Sequence, residues 1–481
     1  MVSTIGSQLS NAFNKSVDFI SQQVNLKNQM MIHVCFIDNM IDKDIVCKDV
    51  VDKLLSLEYK QSYEFEDIKN TISVVGLEEK SGYLQAEKSI LGGSVVIWAE
   101  WFGEKFLSAP CQGYKMRTVA EPPTAAVQKG PREGFTEDLN TNLSLIRRRV
   151  KNKDLTTEEL QVGRYTDTKV VITYLSSIAD KNVVKEVKRK IKNIDIDGII
   201  DSFYIETLIS PRQSGMFKQI GNTEKPDVAV ARMLEGRVLI VVDGSPIILT
   251  VPYVFLEDLQ SGDDYYGQSA HATFIRILRV LGIIISITLP GVYVALQSFH
   301  YGILPIDFLI SIQKSIEGLS FPPLIEILVV LFLFEILNEA SVRMPKYSGM
   351  ALSIVGALVL GDTAVQAGLI SPPAVIMVAI SGITMFTVPS QIYLASILRF
   401  VFTIIGGVTG FYGLLTAFLF LTSYLMTLDA FGTPYFAPFA PSIQKDKKDG
   451  IIKQNLSDFQ TRPQSIPNIN KVRQQDGKSF N

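Results

Sequence analysis

From about residue 283 to 428 the chain is almost free of charge. That stretch constrains the fold more than any other feature. Its long apolar runs read as membrane helices, which satisfy their own backbone polar groups. "FIRILRVLGIIISITLPGVYVAL" (274–296) is long enough to cross, with Arg276 and Arg279 at its leading end. "PPLIEILVVLFLFEILNEAS" (322–341), "GMALSIVGALVLGDTAVQAGLI" (349–370) and "PPAVIMVAISGITMFTVP" (372–389) follow as further candidates. The last apolar run, 391–428, is broken by Gly406, Gly407, Gly410 and Gly413. At roughly 1.5 Å per residue it is too long for one crossing, so it reads as two short helices, with one long tilted helix as the other reading. Residues 298–320 contain Asp307, Lys314 and Glu317, too polar to face lipid, and read as interfacial or re-entrant.

The basic residues near these spans give an orientation. Arg276, Arg279, Arg343, Lys346 and the tail lysines Lys445, Lys447, Lys448 and Lys453 all fit the cytoplasmic side, with an even number of crossings. Arg399 fits none of this. The N-terminus has no continuous apolar core, so it does not read as a secretory signal.

The stretch before Ser269 reads as ordinary soluble protein. Residues 1–27 are polar and are expected to be mobile or peripheral. "MIHVCFI" (31–37) and "SVVIWAEWF" (94–102) read as buried strands flanking a helix over Lys43–Leu57. A Pro/Gly connector, "AEPPTAAVQKG" (120–130), opens a second subdomain. It contains the strand "KVVITYL" (169–175), the helix "VVKEVKRKIKNI" (183–194) and "RVLIVVDGSPIILTV" (237–251), where Asp243-Gly244 signals a hairpin. The basic helix 183–194 reads as a solvated helix lying on a sheet, with binding to anionic lipid as the functional alternative. The expected fold is therefore an α+β or α/β N-terminal region of two subdomains, 28–120 and 121–268. An all-α membrane domain of about five to six helices follows over 269–441, and then a disordered tail, 442–481.

Composition excludes several classes. A net charge of −2 gives no pull toward nucleic acid. Cys35, Cys47 and Cys111 lack metal-site spacing, and their odd number fits a reducing compartment rather than a disulfide framework. No HExxH or CxxC motif is present, and no nucleophile and base stand together, so neither an enzyme nor a metal or cofactor site is expected.

"PREGFTEDLNTNLSLIRRRV" (131–150) reads as a helix from Phe135 to Val150. Acids stand at its start and Arg147, Arg148 and Arg149 at its end, both favourable to the helix dipole. Leu139, Leu143, Ile146 and Val150 form its buried stripe. With Arg132, the three arginines make either a joint between the subdomains or a contact to another subunit.

The blocks "EPPTAAVQKGPREGFTEDLNTNLSLIRRR", "TEKPDVAVARMLEGRVLIVVDGSP", "LQSGDDYY" and "FGTPYFAPFAP" resemble the signatures of the GerA family of spore germination proteins, A subunit. The resemblance spans about residue 30 to 441. It implies a place in the inner membrane of a bacterial endospore, with the N- and C-termini on the core side. It also implies partnership with an APC-transporter-like B subunit and a lipoprotein C subunit in a nutrient-responsive germinant receptor. A further implication is self-association into an oligomeric ring with an ion-conducting centre.

Glu326, Glu335, Glu339 and Asp362 fall in or near the spans, where acids face protein or water rather than lipid. Glu335 lies a turn deeper than Glu339. The structural reading pairs these acids with Lys314, Arg343 or Arg399. In 349–370, Ala351, Val355, Val359, Asp362 and Gln366 share one helical face. A ring of such helices would present the valines as a constriction and Asp362 as a cation-attracting ring. The alternative function is a solute or proton transporter with the acids as a relay, although no internal repeat of the helices supports it.

Overall fold

"MIHVCFI" forms strand β2 (Met31–Ile37), and its alternation places Ile32, Val34 and Phe36 on one face and Cys35 and Ile37 on the other. Both faces are covered, because helices pack on each side of the sheet. The computed structural model describes residues 5–13, 16–113, 129–212, 215–317, 319, 321–343 and 363–474. Two compact units result. Residues up to Val254 make the first, together with Asp429–Thr433 and the chain from Leu456; Phe255–Leu428 and Pro434–Asn455 make the second.

The first unit contains two five-stranded sheets. The first sheet comprises β1 (Phe19–Asn25), β2, β3 (Glu78–Ser81), β4 (Val95–Trp98) and β5 (Lys105–Ala109), in the order β1-β2-β4-β5-β3. The second comprises β6 (Leu155–Val162), β7 (Thr168–Leu175), β8 (Gly221–Thr223), β9 (Val238–Val242) and β10 (Ile248–Val251), in the order β6-β7-β9-β10-β8. The second order is the first one shifted by five strands, and every neighbouring pair in both sheets is antiparallel. The helices repeat as well. In the first copy α1 (Ile5–Phe13) and α2 (Tyr83–Leu91) cover one face, and a helical run from Lys43 to Ser56 covers the other. In the second, α3 (Leu139–Arg149) and α6 (Pro226–Leu234) cover one face, and α4 (Lys181–Lys192) and α5 (Ser202–Ile209) the other. The unit is thus a duplicated α+β fold. The α/β alternative would need parallel strands.

Two expectations for the ends of the chain are corrected. The described part of residues 1–27 is built into the fold: Ile5, Leu9 and Phe13, spaced by four, form a buried stripe against the first sheet, and β1 pairs with β2. The stripe is only three residues long in polar surroundings, which is why it reads as peripheral. Nor is the tail disordered throughout. Phe459 and Ile466 are buried, and the Ile469 amide donates to the Ile178 carbonyl at 2.9 Å. The helix expected from Phe135 starts at Leu139, because the Asp138 side chain caps it by accepting from the Thr141 amide.

The second unit is helical. It comprises α7 (Gly262–Tyr266), α8 (Ser269–Ser298), α9 (Ile306–Ile316), α10 (Pro323–Arg343), α11 (Pro372–Met385) and α12 (Ile392–Met426). α12 breaks at Gly410, whose φ of 69° and ψ of −157° are not helical. The chain reverses there. Gln391, ahead of α12, donates to Asp258, and the carbonyl of Leu428, beyond its end, accepts from Tyr435, which is bonded in turn to Phe255. Gly410 itself lies against Phe299 and His300 at the far end of α8. α12 is therefore two antiparallel limbs of roughly 24–27 Å each at 1.5 Å per residue, and the single tilted helix is ruled out. α8 and α12 pass the test of length and apolarity for membrane-crossing helices.

Candidate functional site

Arg147, Arg276 and Arg399 are the largest fully buried side chains. Removing a guanidinium from water is costly unless acids and carbonyls surround it. Each of the three meets that condition at a different place, and together they locate the polar chemistry of the molecule.

Arg399 stands on the first limb of α12 and pairs with Glu335 of α10. Ser396 also donates to Glu335, the Ser381 hydroxyl lies 3.2 Å from the guanidinium, and the Phe334 ring faces it at 5.2 Å. Glu335 is thus engaged in holding two helices together. Glu339 pairs with Arg343 on the exposed face of the same helix. Glu326, 1% exposed, accepts the Ser371 amide at 2.6 Å, where Ser371 caps α11. Of the residues expected to line a pore, Ala351, Val355, Val359 and Asp362 lie outside the described residues. Gln366 is described, and is exposed in the short helix Ala364–Gln366.

Arg276, at the start of α8, is held by Asp264 at 2.9 Å, Asp449 at 2.9 Å and the Gly450 carbonyl at 2.6 Å. Arg279 shares Asp264 at 2.8 Å. "LQSGDDYY" supplies this acid on α7, and the segment after α12 supplies the other. These arginines were expected to mark the cytoplasmic boundary. They are instead neutralised inside protein by Asp264 and Asp449.

Arg147 is bidentate to Asp18, with bonds of 2.8 and 2.7 Å, and reaches the Ser16 hydroxyl at 3.3 Å. Asp18 also accepts the Thr157 hydroxyl at 2.7 Å. Asp18 belongs to the first copy, and Arg147 and Thr157 to the second. Arg148 and Arg149 turn back to Glu133 of the "PREG" turn. Arg132 is exposed and also makes a polar contact. The four arginines therefore separate into one buried link between copies and a surface clamp. Asp18 could not be chosen from the sequence, because its partner lies 129 residues away.

Among the described residues no group of three or more His, Cys, Asp or Glu side chains is placed to hold a metal ion.

Comparison with known proteins gives a consistent picture. The family model described as Bacillus/Clostridium GerA spore germination protein matches residues 7–465. Spore germination protein KA of Bacillus subtilis (strain 168) is 38% identical over 473 residues, 95% of this chain and 85% of that protein. YfkQ, an uncharacterized membrane protein of the same organism, is 33% identical over 449 residues, 93% of this chain and 87% of that protein. Among solved structures, the N-terminal domain of the A subunit of the Bacillus megaterium spore germinant receptor GerK3 is 27% identical. It covers 53% of this chain and 96% of that one, with a TM-score of 0.39.

Proposed function

The chain belongs to the GerA family of spore germination proteins, and from that premise we propose that it is the A-type membrane subunit of a nutrient-responsive germinant receptor. The match across residues 7–465, with the relatives named above, is the observation that carries this reading and its role in spore germination. In the finer reading, copies assemble as a ring in the inner membrane of the endospore, with B and C subunits as partners. The segment 349–370 of each copy contributes Ala351, Val355, Val359, Asp362 and Gln366 to a central ion path.

Two of the three acids on α10 speak against a proton relay. A relay needs acids that are free to exchange protons along a path. Glu335 is instead neutralised by Arg399, and Glu339 pairs with Arg343 at the surface. A path built between copies asks nothing of the interior of one copy.

The oligomeric state of the detergent-purified full chain tests the reading. A closed ring of several copies is the expected result, and a monomer at micromolar concentration would favour the transporter. Cysteine labelling from outside the membrane tests the orientation: position 346 should stay unlabelled, and labelling there would reverse the topology.

A further inference from the structure

We propose that Tyr293, Gln297, Glu326 and Ser371 form a binding site for one alkali cation inside the helical unit. The starting point is a contrast between two acids on α10. Glu335 has Arg399. Glu326 is more deeply buried, at 1% exposure, and has no basic partner among the described residues. The bond from the Ser371 amide occupies a single carboxylate oxygen. The N-terminus of α11 offsets part of the charge, by about half an elementary charge at most. The remainder stands in an apolar cluster that includes Val294, Ile327 and Ala374, where a lone charge is costly.

Unpartnered polar atoms surround that carboxylate. Tyr293 and Gln297 are one turn apart on α8 and so share a face. Tyr293 is 6% exposed, and its hydroxyl lies within reach of Ser371 and Gln297 and close to Glu326, with no well-directed hydrogen bond to any of them. Both amide atoms of Gln297 are buried and likewise lack a well-directed partner. Buried polar groups are rarely left so, since each costs about 1–3 kcal/mol.

The donor set defines the ligand. The Tyr293 hydroxyl, the Gln297 carbonyl, the second Glu326 oxygen and the Ser371 hydroxyl, which also accepts the Ala374 amide at 3.3 Å, are hard oxygen donors with a single carboxylate among them. An anion would be repelled. A calcium ion draws 6–8 oxygen ligands, usually including several carboxylates, and is under-provided here. A sodium or potassium ion fits both the charge and the donors. It would also order Ser371, which directly follows the segment 349–370.

The test uses the detergent-purified full chain in N-methyl-D-glucamine chloride at constant ionic strength, with NaCl or KCl exchanged in. The melting temperature should rise saturably, by about 3 °C or more when the cation is well above its Kd. Binding of radioactive sodium or rubidium should approach one ion per chain. Glu326→Gln should abolish both signals, and Tyr293→Phe and Gln297→Leu should each weaken the affinity at least tenfold. A folded wild-type chain with no saturable response would overturn the proposal and leave Glu326 with a purely structural role. An undiminished response in folded Glu326→Gln would overturn it equally. If that variant does not fold, unchanged affinity in both of the others does so.

Discussion

The two copies in the N-terminal unit follow the same chain path with different chemistry. Even a backbone detail recurs. The residue after β2, Asp38, donates to the carbonyl of Asp18, and the residue after β7, Ser176, donates to the carbonyl of Asp154, both at 2.8 Å. Asp18 and Asp154 each immediately precede the first strand of their copy. Yet only the Asp18 side chain is locked to an arginine. The place that Arg147 takes in α3 is held in α1 by the exposed Asn11. Apolar alternation, present twice, sets the topology of each copy. A single buried charge pair, present once, joins them.

This comparison can be broken most strongly at Arg147. Arg147→Met leaves Asp18 buried and unpaired, at a cost of about 3–5 kcal/mol. Chemical denaturation of a fragment spanning residues 1–254 should show that loss. Asn11→Ala, at the matching place, should stay within about 0.5 kcal/mol. Equal effects of the two variants would remove the asymmetry.

Next come the matched core positions. Ile90 in α2 and Met233 in α6 are each the eighth residue of their helix and 0% exposed. Truncation of either to alanine should cost about 2–5 kcal/mol. A much smaller loss in one variant would show that its copy contributes less to the shared stability.

Cysteine alkylation separates the copies, because all three cysteines lie in the first. Cys47 is exposed and Cys35 and Cys111 are buried. Burial, helped by Asp49 and Asp42, pushes the Cys111 thiol up to about 11, so at pH 8 it stays neutral and unreactive. Iodoacetamide should modify Cys47 alone in the native protein. Ile90→Ala should expose Cys35 and Cys111 faster than Met233→Ala does, and the reverse order would contradict independent opening. The sign of the linkage follows. A raised thiol pKa contributes stability that is full below the ordinary thiol value of 9.0 and is lost as pH rises to about 11.

The smallest effects belong to the last turn of each copy. Gly103 and Gly244 have φ of +63° and +85°, and an added Cβ would meet nothing closer than 3.9 Å. Alanine at either position should cost only backbone strain, about 1–2 kcal/mol. A clearly larger loss would mean that the turn makes contacts the fold does not show.

Much of the frame was legible in the chain. β2 and β7 are continuous apolar runs with β-branched residues, and the break at Gly410 lies among glycines that interrupt a run too long for one helix. The duplication was not read from the sequence, although "VVIW" with "FLSAP" against "VLIV" with "IILTVP", where each copy ends its last strand just before a proline, carries a trace of it. Long-range polar pairs were not. Arg276 looks like a boundary charge until Asp264 and Asp449 close on it, and periodicity carries no information about a partner 173 residues away. The tail misled for a related reason: Phe459 and Ile466 are too sparse to make a pattern, although each buries on folding.

The central claim is that this chain gates ion flow in the spore membrane. It is tested most directly by Val359→Ala, with potassium release from dormant spores and the level of the protein measured together. The account predicts release and germination without nutrient at an unchanged protein level, because the smaller side chain widens a dewetted constriction. If the same residue only packs against a neighbouring helix, the substitution leaves a cavity costing about 1–3 kcal/mol. A lowered protein level with no release of ions would contradict the account.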